Sequence, residues 1–160
     1  MTEARHQIEV SYHQFFLAPT DCSPIFDHAT VGPLLALDPR YPDAVIIFTG
    51  CSDGPVNVTV HTGQEPLPSL ATAAAGWEVG EQVTITIQNE LYLVPLMGNT
   101  PAPLAFVPQS PGLYLIRVLA RGRMTSYDTP TWVATEDYEI TITPVTADPG
   151  RQVTGNDGIR

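Results

Sequence analysis

A period of two runs through this chain from one end to the other, and no stretch of a dozen residues carries the spacing of an amphipathic helix. Side chains that alternate in this way belong to strands with one face buried and the other not. In the segment 8–13, Ile8, Val10 and Tyr12 alternate with Glu9, Ser11 and His13. Residues 55–61, PVNVTVH, place Val56, Val58 and Val60 on one face and Asn57, Thr59 and His61 on the other. Residues 81–96 repeat the pattern through Val83, Ile85 and Ile87, and Asn89-Glu90 marks a turn into a further strand. AVIIFTG (44–50) is apolar on both faces, as a central strand would be. GLYLIRVLARG (112–122) and EDYEITITP (136–144) bring the set to about seven or eight strands.

Short strands joined by segments rich in Pro, Gly, Ser and Asp predict an all-β fold, a two-sheet antiparallel β-sandwich with under about a tenth of its residues helical. At 160 residues the chain suits one domain, which the pattern places at 1–144. Residues 145–160 lack apolar content, contain Pro149, Gly150, Gly155 and Gly158, and read as a flexible tail. Residues 67–80, LPSLATAAAGWEVG, hold either one helical turn across SLATAAA or a loop that returns Trp77 to the core.

Seventeen carboxylates face seven arginines and no lysine, a formal net charge of -10. Such a surface repels nucleic acid and steers basic partners toward itself; the alternative is that it serves solubility alone. The N-terminal residues MTEARHQIEV lack the apolar core of a secretion signal, and no run is long enough to cross a membrane, so a cytoplasmic location is expected. In that compartment Cys22 and Cys51 are expected to be free thiols.

Catalytic constellations are missing. His6, His13, His28 and His61 show no paired spacing of metal ligands, neither cysteine sits in a CxxC motif, and no G-x-S-x-G elbow or phosphate-binding glycine loop occurs. No catalytic residue, metal or cofactor is therefore assigned, and a hydrolase using Asp27-His28 is the weaker alternative. Asn57-Val58-Thr59 matches a glycosylation acceptor but lies inside a strand. Arg117, Arg121 and Arg123 either pair with acids on adjacent strands or bind an anion.

The acids remain. Asp137 and Glu139 share one strand face and project together roughly 7 Å apart. Asp128 precedes them in SYDTPTW, with Tyr127 and Trp132 close by. Carboxylates beside aromatic rings suit an interface with a basic protein, the rings anchoring and the acids steering, unless Tyr127 and Trp132 simply cover the end of the sandwich. The partner-facing patch is therefore placed at Tyr127, Asp128, Trp132, Glu136, Asp137 and Glu139.

The opening strand, EVSYHQFFLAPTDCSPIFD (9–27), resembles the N-terminal strand of the competence protein J family, inhibitors of the DNA-entry nuclease, through the run SYHQF followed by a Thr/Asp/Ser/Pro loop. PGLYLIRVLAR resembles the family's penultimate strand and DYEITITPV its last, so the resemblance covers about a third of the chain. It implies a small cytoplasmic inhibitor that binds a nuclease protein and blocks it as an immunity protein does, with no direct nucleic-acid binding and no membrane contact. His13 is then expected to be structural, sharing a strand face with Phe15 and Leu17. The alternative function is a small-molecule or carbohydrate-binding sandwich using Trp77, Tyr92 and Trp132.

Overall fold

The computed structural model describes residues 2–19, 26–63, 66–97 and 102–159. Its strands form two six-stranded sheets packed as a β-sandwich. Sheet A runs β1 (Thr2–Val10), β6 (Gly54–Thr62), β11 (Asp137–Pro144), β10 (Gly112–Arg121), β7 (Val79–Ile87) and β12 (Gln152–Gly155). Sheet B runs β3 (Thr30–Val31), β4 (Leu35–Leu37), β5 (Val45–Phe48), β2 (Gln14–Ala18), β8 (Leu91–Pro95) and β9 (Leu104–Phe106). The all-β expectation holds, with the one helix among the described residues, α1 (Leu70–Ala73), a single turn capped by the Ser69 hydroxyl accepting from the Thr72 N–H. No helix among them is long and apolar enough to cross a membrane.

Inward side chains of both sheets make the core: Val56, Val58 and Val60 of β6, Val83, Ile85 and Ile87 of β7, and Tyr138, Ile140 and Ile142 of β11 meet Phe15 and Leu17 of β2. Phe15 and Tyr138 span the two sheets edge to face at 5.6 Å. AVIIFTG is apolar on both faces because β5 serves two clusters. Val45 and Ile47 enter the main core, while Ile46 joins Phe16, Ala36 and Val94 in a second cluster on the outer face of sheet B.

One ladder departs from the antiparallel expectation: β6 and β11 run parallel, with Asp137 opposite Asn57 and Ile142 opposite Thr62. The cause is the 122–136 loop, which returns the chain antiparallel to β10 and so sends β11 off in the direction β6 already takes. Both strands start at the same end of the sandwich, and the segments that precede them meet there.

Residues 145–159 correct the expectation of a tail. β12 pairs antiparallel with β7, Gln152 opposite Gln82 and Gly155 opposite Val79. Two ion pairs fasten the segment: Arg151 Nε lies 2.8 Å from Glu81 Oε2, and Asp157 accepts from Arg123 Nε at 2.6 Å and Nη2 at 2.9 Å. Glu81 and Arg123 are both buried; Glu81 also accepts from the N–H groups of Leu34 and Leu35, and Arg123 donates to the carbonyls of Pro33 and Phe48. This segment is held by backbone pairing and charge, so its low apolar content concealed it.

Candidate functional site

Three connections meet where β6 and β11 begin: the turn 11–13 from β1 to β2, the segment 49–53 from β5 to β6, and the 122–136 loop. Their backbones are laced together. His13 N–H donates to Ser52 O, Thr49 N–H to His13 O, Asp128 N–H to Gly50 O, Ser52 N–H to Thr129 O and Thr131 N–H to Asp53 O, all at 2.8–3.1 Å. A Cβ on Gly50 would lie 1.8 Å from the carbonyl oxygen of Arg123, so this approach requires glycine.

Tyr12, His13 and Asp128 all have positive φ, at 53°, 60° and 55°, and they are the non-glycine residues that do so among those described. Each left-handed conformation costs about 1 kcal/mol or more and persists only where surroundings impose it; such residues concentrate at functional sites. His13 and Asp128 also touch, with Nε2 2.9 Å from Oδ1, and the Tyr127 ring lies 6.4 Å from the imidazole. His13 therefore departs from the expected strand position: it is a turn residue, its side chain 35% exposed, facing the loop rather than Phe15 and Leu17.

Beneath the loops lies Glu136, fully buried. Its Oε1 accepts from Gly50 N–H at 2.9 Å and from the Tyr138 hydroxyl at 2.5 Å, and its Oε2 accepts from Cys51 N–H at 2.6 Å. Three donors balance the cost of burying the carboxylate and fix the 49–53 segment against β11. Burial, then the Glu136 charge, pushes the Cys51 thiol up to about 12, and the same two causes raise Tyr138 well above its ordinary value. Cys51 is a free, buried thiol held neutral and is no nucleophile; Cys22 lies outside the described residues.

The structure divides the six-residue patch into three places. Tyr127, Asp128 and Trp132 share the 122–136 loop, exposed, with Trp132 96% accessible, so it does not cover the core. Glu136 is a correction: it faces inward as an anchor and cannot meet a partner. Asp137 and Glu139 do share the outer face of sheet A, but Asp137 accepts from Arg121 Nε at 3.0 Å and Asn57 Nδ2 at 3.1 Å, while Glu139 lies 3.4 Å from His61 Nε2. Of the three arginines, Arg121 and Arg123 pair with acids, and Arg117 donates to Gln82 at 3.0 Å.

The aromatics of the carbohydrate alternative do not assemble. Trp132 is on the loop, Trp77 is half-buried beneath the Arg121 guanidinium at 4.5 Å, and Tyr92 packs on the outer face of sheet B. Tyr12 is the residue that sequence reasoning missed. Alternation put it inward with Ile8 and Val10, yet it is 65% exposed, because the chain leaves sheet A after Val10 and turns into sheet B. Ser11, whose carbonyl accepts from the Gln14 N–H at 3.2 Å, is the one turn-favouring residue there, with no Gly, Pro, Asn or Asp beside it. Among the described residues no three His, Cys, Asp or Glu side chains converge as a metal site. The loop end thus presents the exposed side chains of Tyr12, Tyr127, Asp128 and Trp132, with His13 in contact with Asp128. No protein-family model matches this chain, and no curated protein and no solved structure matches it.

Proposed function

We propose that this chain is an immunity-type inhibitor that acts in the cytoplasm and binds a basic nuclease through the loop end carrying Tyr12, Tyr127, Asp128 and Trp132. The observation that carries the reading is Trp132, 96% exposed on a loop tied by backbone hydrogen bonds to two other segments. Large aromatics buried at the centre of an interface supply most of its binding energy, and a loop already fixed loses little entropy on binding. The net charge of -10 supports a basic partner by steering, and the resemblance of the opening strand to nuclease inhibitors supports the class of that partner.

The test is a DNA-degradation assay in which the purified chain is titrated against DNA-entry nucleases, the class that the resembled family inhibits. The wild-type chain is expected to inhibit stoichiometrically, and Trp132→Ala to weaken inhibition by about thirtyfold or more, equivalent to at least about 2 kcal/mol. Asp128→Asn is expected to slow association at low salt and to matter less as salt rises. Absence of inhibition overturns the reading; inhibition that survives Trp132→Ala moves the contact surface elsewhere.

A further inference from the structure

Four strands end the two sheets, and β1 is by far the longest, nine residues against two for β3, three for β9 and four for β12. β6 occupies one side of it, and among the described residues no other backbone hydrogen bond ties it to a neighbour. A long strand with one row of N–H and C=O groups unpaired is a template for another strand. Natural edges of this length are usually shortened, bulged, broken by proline or guarded by charge; β1 is full length, regular and free of proline, and its guards are the exposed Glu3, Arg5 and Glu9, whose mixed signs let a second copy match them.

We propose that β1 is the contact between two copies of this chain, the strands pairing antiparallel about a two-fold axis at Gln7, so that Arg5 of each copy faces Glu9 of the other. Side chains directly opposite in an antiparallel pair share a sheet face, so outward residues must meet outward residues, which limits the axis to a residue position. Charge and overlap then select among the positions: an axis at Ala4 also opposes Glu3 to Arg5 but pairs only residues 2–6 of β1, against 4–10 for an axis at Gln7. An axis at His6 sets Glu3 against Glu9, and an axis at Arg5 sets Arg5 against itself. An axis at Gln7 makes two Arg5–Glu9 pairs, opposes no like charges, and sets Ala4 against Val10 and His6 against Ile8 on the inward face. Both charged residues are exposed, and Arg5 touches Glu3 of its own strand at 3.4 Å, an exposed contact worth little and readily exchanged. His6 Nε2, buried and without a hydrogen-bond partner, lies on the same strand. The two sheets A would become one continuous sheet. Repulsion between two chains of net charge -10 is screened beyond about 10 Å at 0.1 M salt, whereas strand pairing acts at contact. This pairing stands apart from the nuclease reading.

Sedimentation velocity at about 0.1 mM protein tests it, a range suited to a modest interface. The wild-type chain is expected to sediment as a dimer. Arg5→Glu and Glu9→Arg, each turning two attractive pairs repulsive, are expected to raise the dissociation constant by about tenfold or more. The double variant R5E/E9R is expected to restore the dimer. Circular dichroism melts confirm that the single variants stay folded, as exposed positions allow. A wild-type monomer overturns the proposal and leaves the edge to a strand of another protein. A dimer that neither reversal weakens, or that the double variant fails to restore, overturns it equally.

Discussion

Trp132 and Glu136 stand four residues apart on one loop and face opposite media, the indole in water and the carboxylate in the core. Exposure of the indole has a direct optical consequence. Iodide is expected to quench Trp132 fluorescence in the native protein nearly as well as in the denatured one, with Trp132→Phe removing that component; strong protection would show the ring to be packed. Glu136→Gln keeps the shape but replaces one charged acceptor oxygen by an N–H₂ that faces donors, and is expected to cost about 2–3 kcal/mol in urea unfolding. A loss under 0.5 kcal/mol, the ordinary range of a surface substitution, would contradict its role as anchor. Cys51 links this site to alkaline stability. Its thiol titrates near 12 when folded against an ordinary 9.0, so unfolding gains ionisation above pH 9. Stability from this group is therefore complete below pH 9 and is lost as pH rises toward 12. The denaturation midpoint is expected to fall between pH 8.5 and 10.5, and less steeply in Cys51→Ala.

At the scale of elements, the C-terminal segment bridges the two sheets, since β12 lies on sheet A while Arg151 donates to Leu35 O of β4 at 3.0 Å. Asp157→Ala would strand the buried Arg123 guanidinium and is expected to destabilise the protein by about 3–5 kcal/mol in urea unfolding. A loss below about 1 kcal/mol would show the pair to be ornamental. How far such elements can be read from sequence depends on what holds them. β6 and β11 bury one face each and β7 does so from Val83 to Ile87, so alternation declared them, while β10, buried on both faces from Tyr114 to Ala120, was declared by its long apolar run; β3, β4, β9 and β12 are two to four residues long and leave too few positions for a period to register. The same alternation, followed one step further, would have found two of the three buried acids among the described residues, Asp38 being the third. Glu136 shares its parity with Tyr138, Ile140 and Ile142, and Glu81 shares its parity with Val83, Ile85 and Ile87. Acids read as surface groups by residue type were core groups by position. The loop end resisted for a different reason, because contacts between segments as distant as His13 and Asp128 leave no local pattern.

Taken as one molecule, the sandwich joins residues far apart in the chain: Asn57 and Asp137, neighbours across β6 and β11, are 80 positions apart. Distant pairing of this kind is costly to close, so refolding is expected to take milliseconds to seconds rather than microseconds, as stopped-flow fluorescence would show. The order of closure matters as well. Translation delivers Glu81 and Arg123 well before Arg151 and Asp157, the groups that neutralise them. A nascent chain that has all of β1 to β11 still carries an acid and a base whose burial is unfavourable until residues 151–157 emerge. The ribosome thus holds a sandwich with one seam open, accessible to chaperones and proteases, until residues 151–157 follow and draw it shut like a zip.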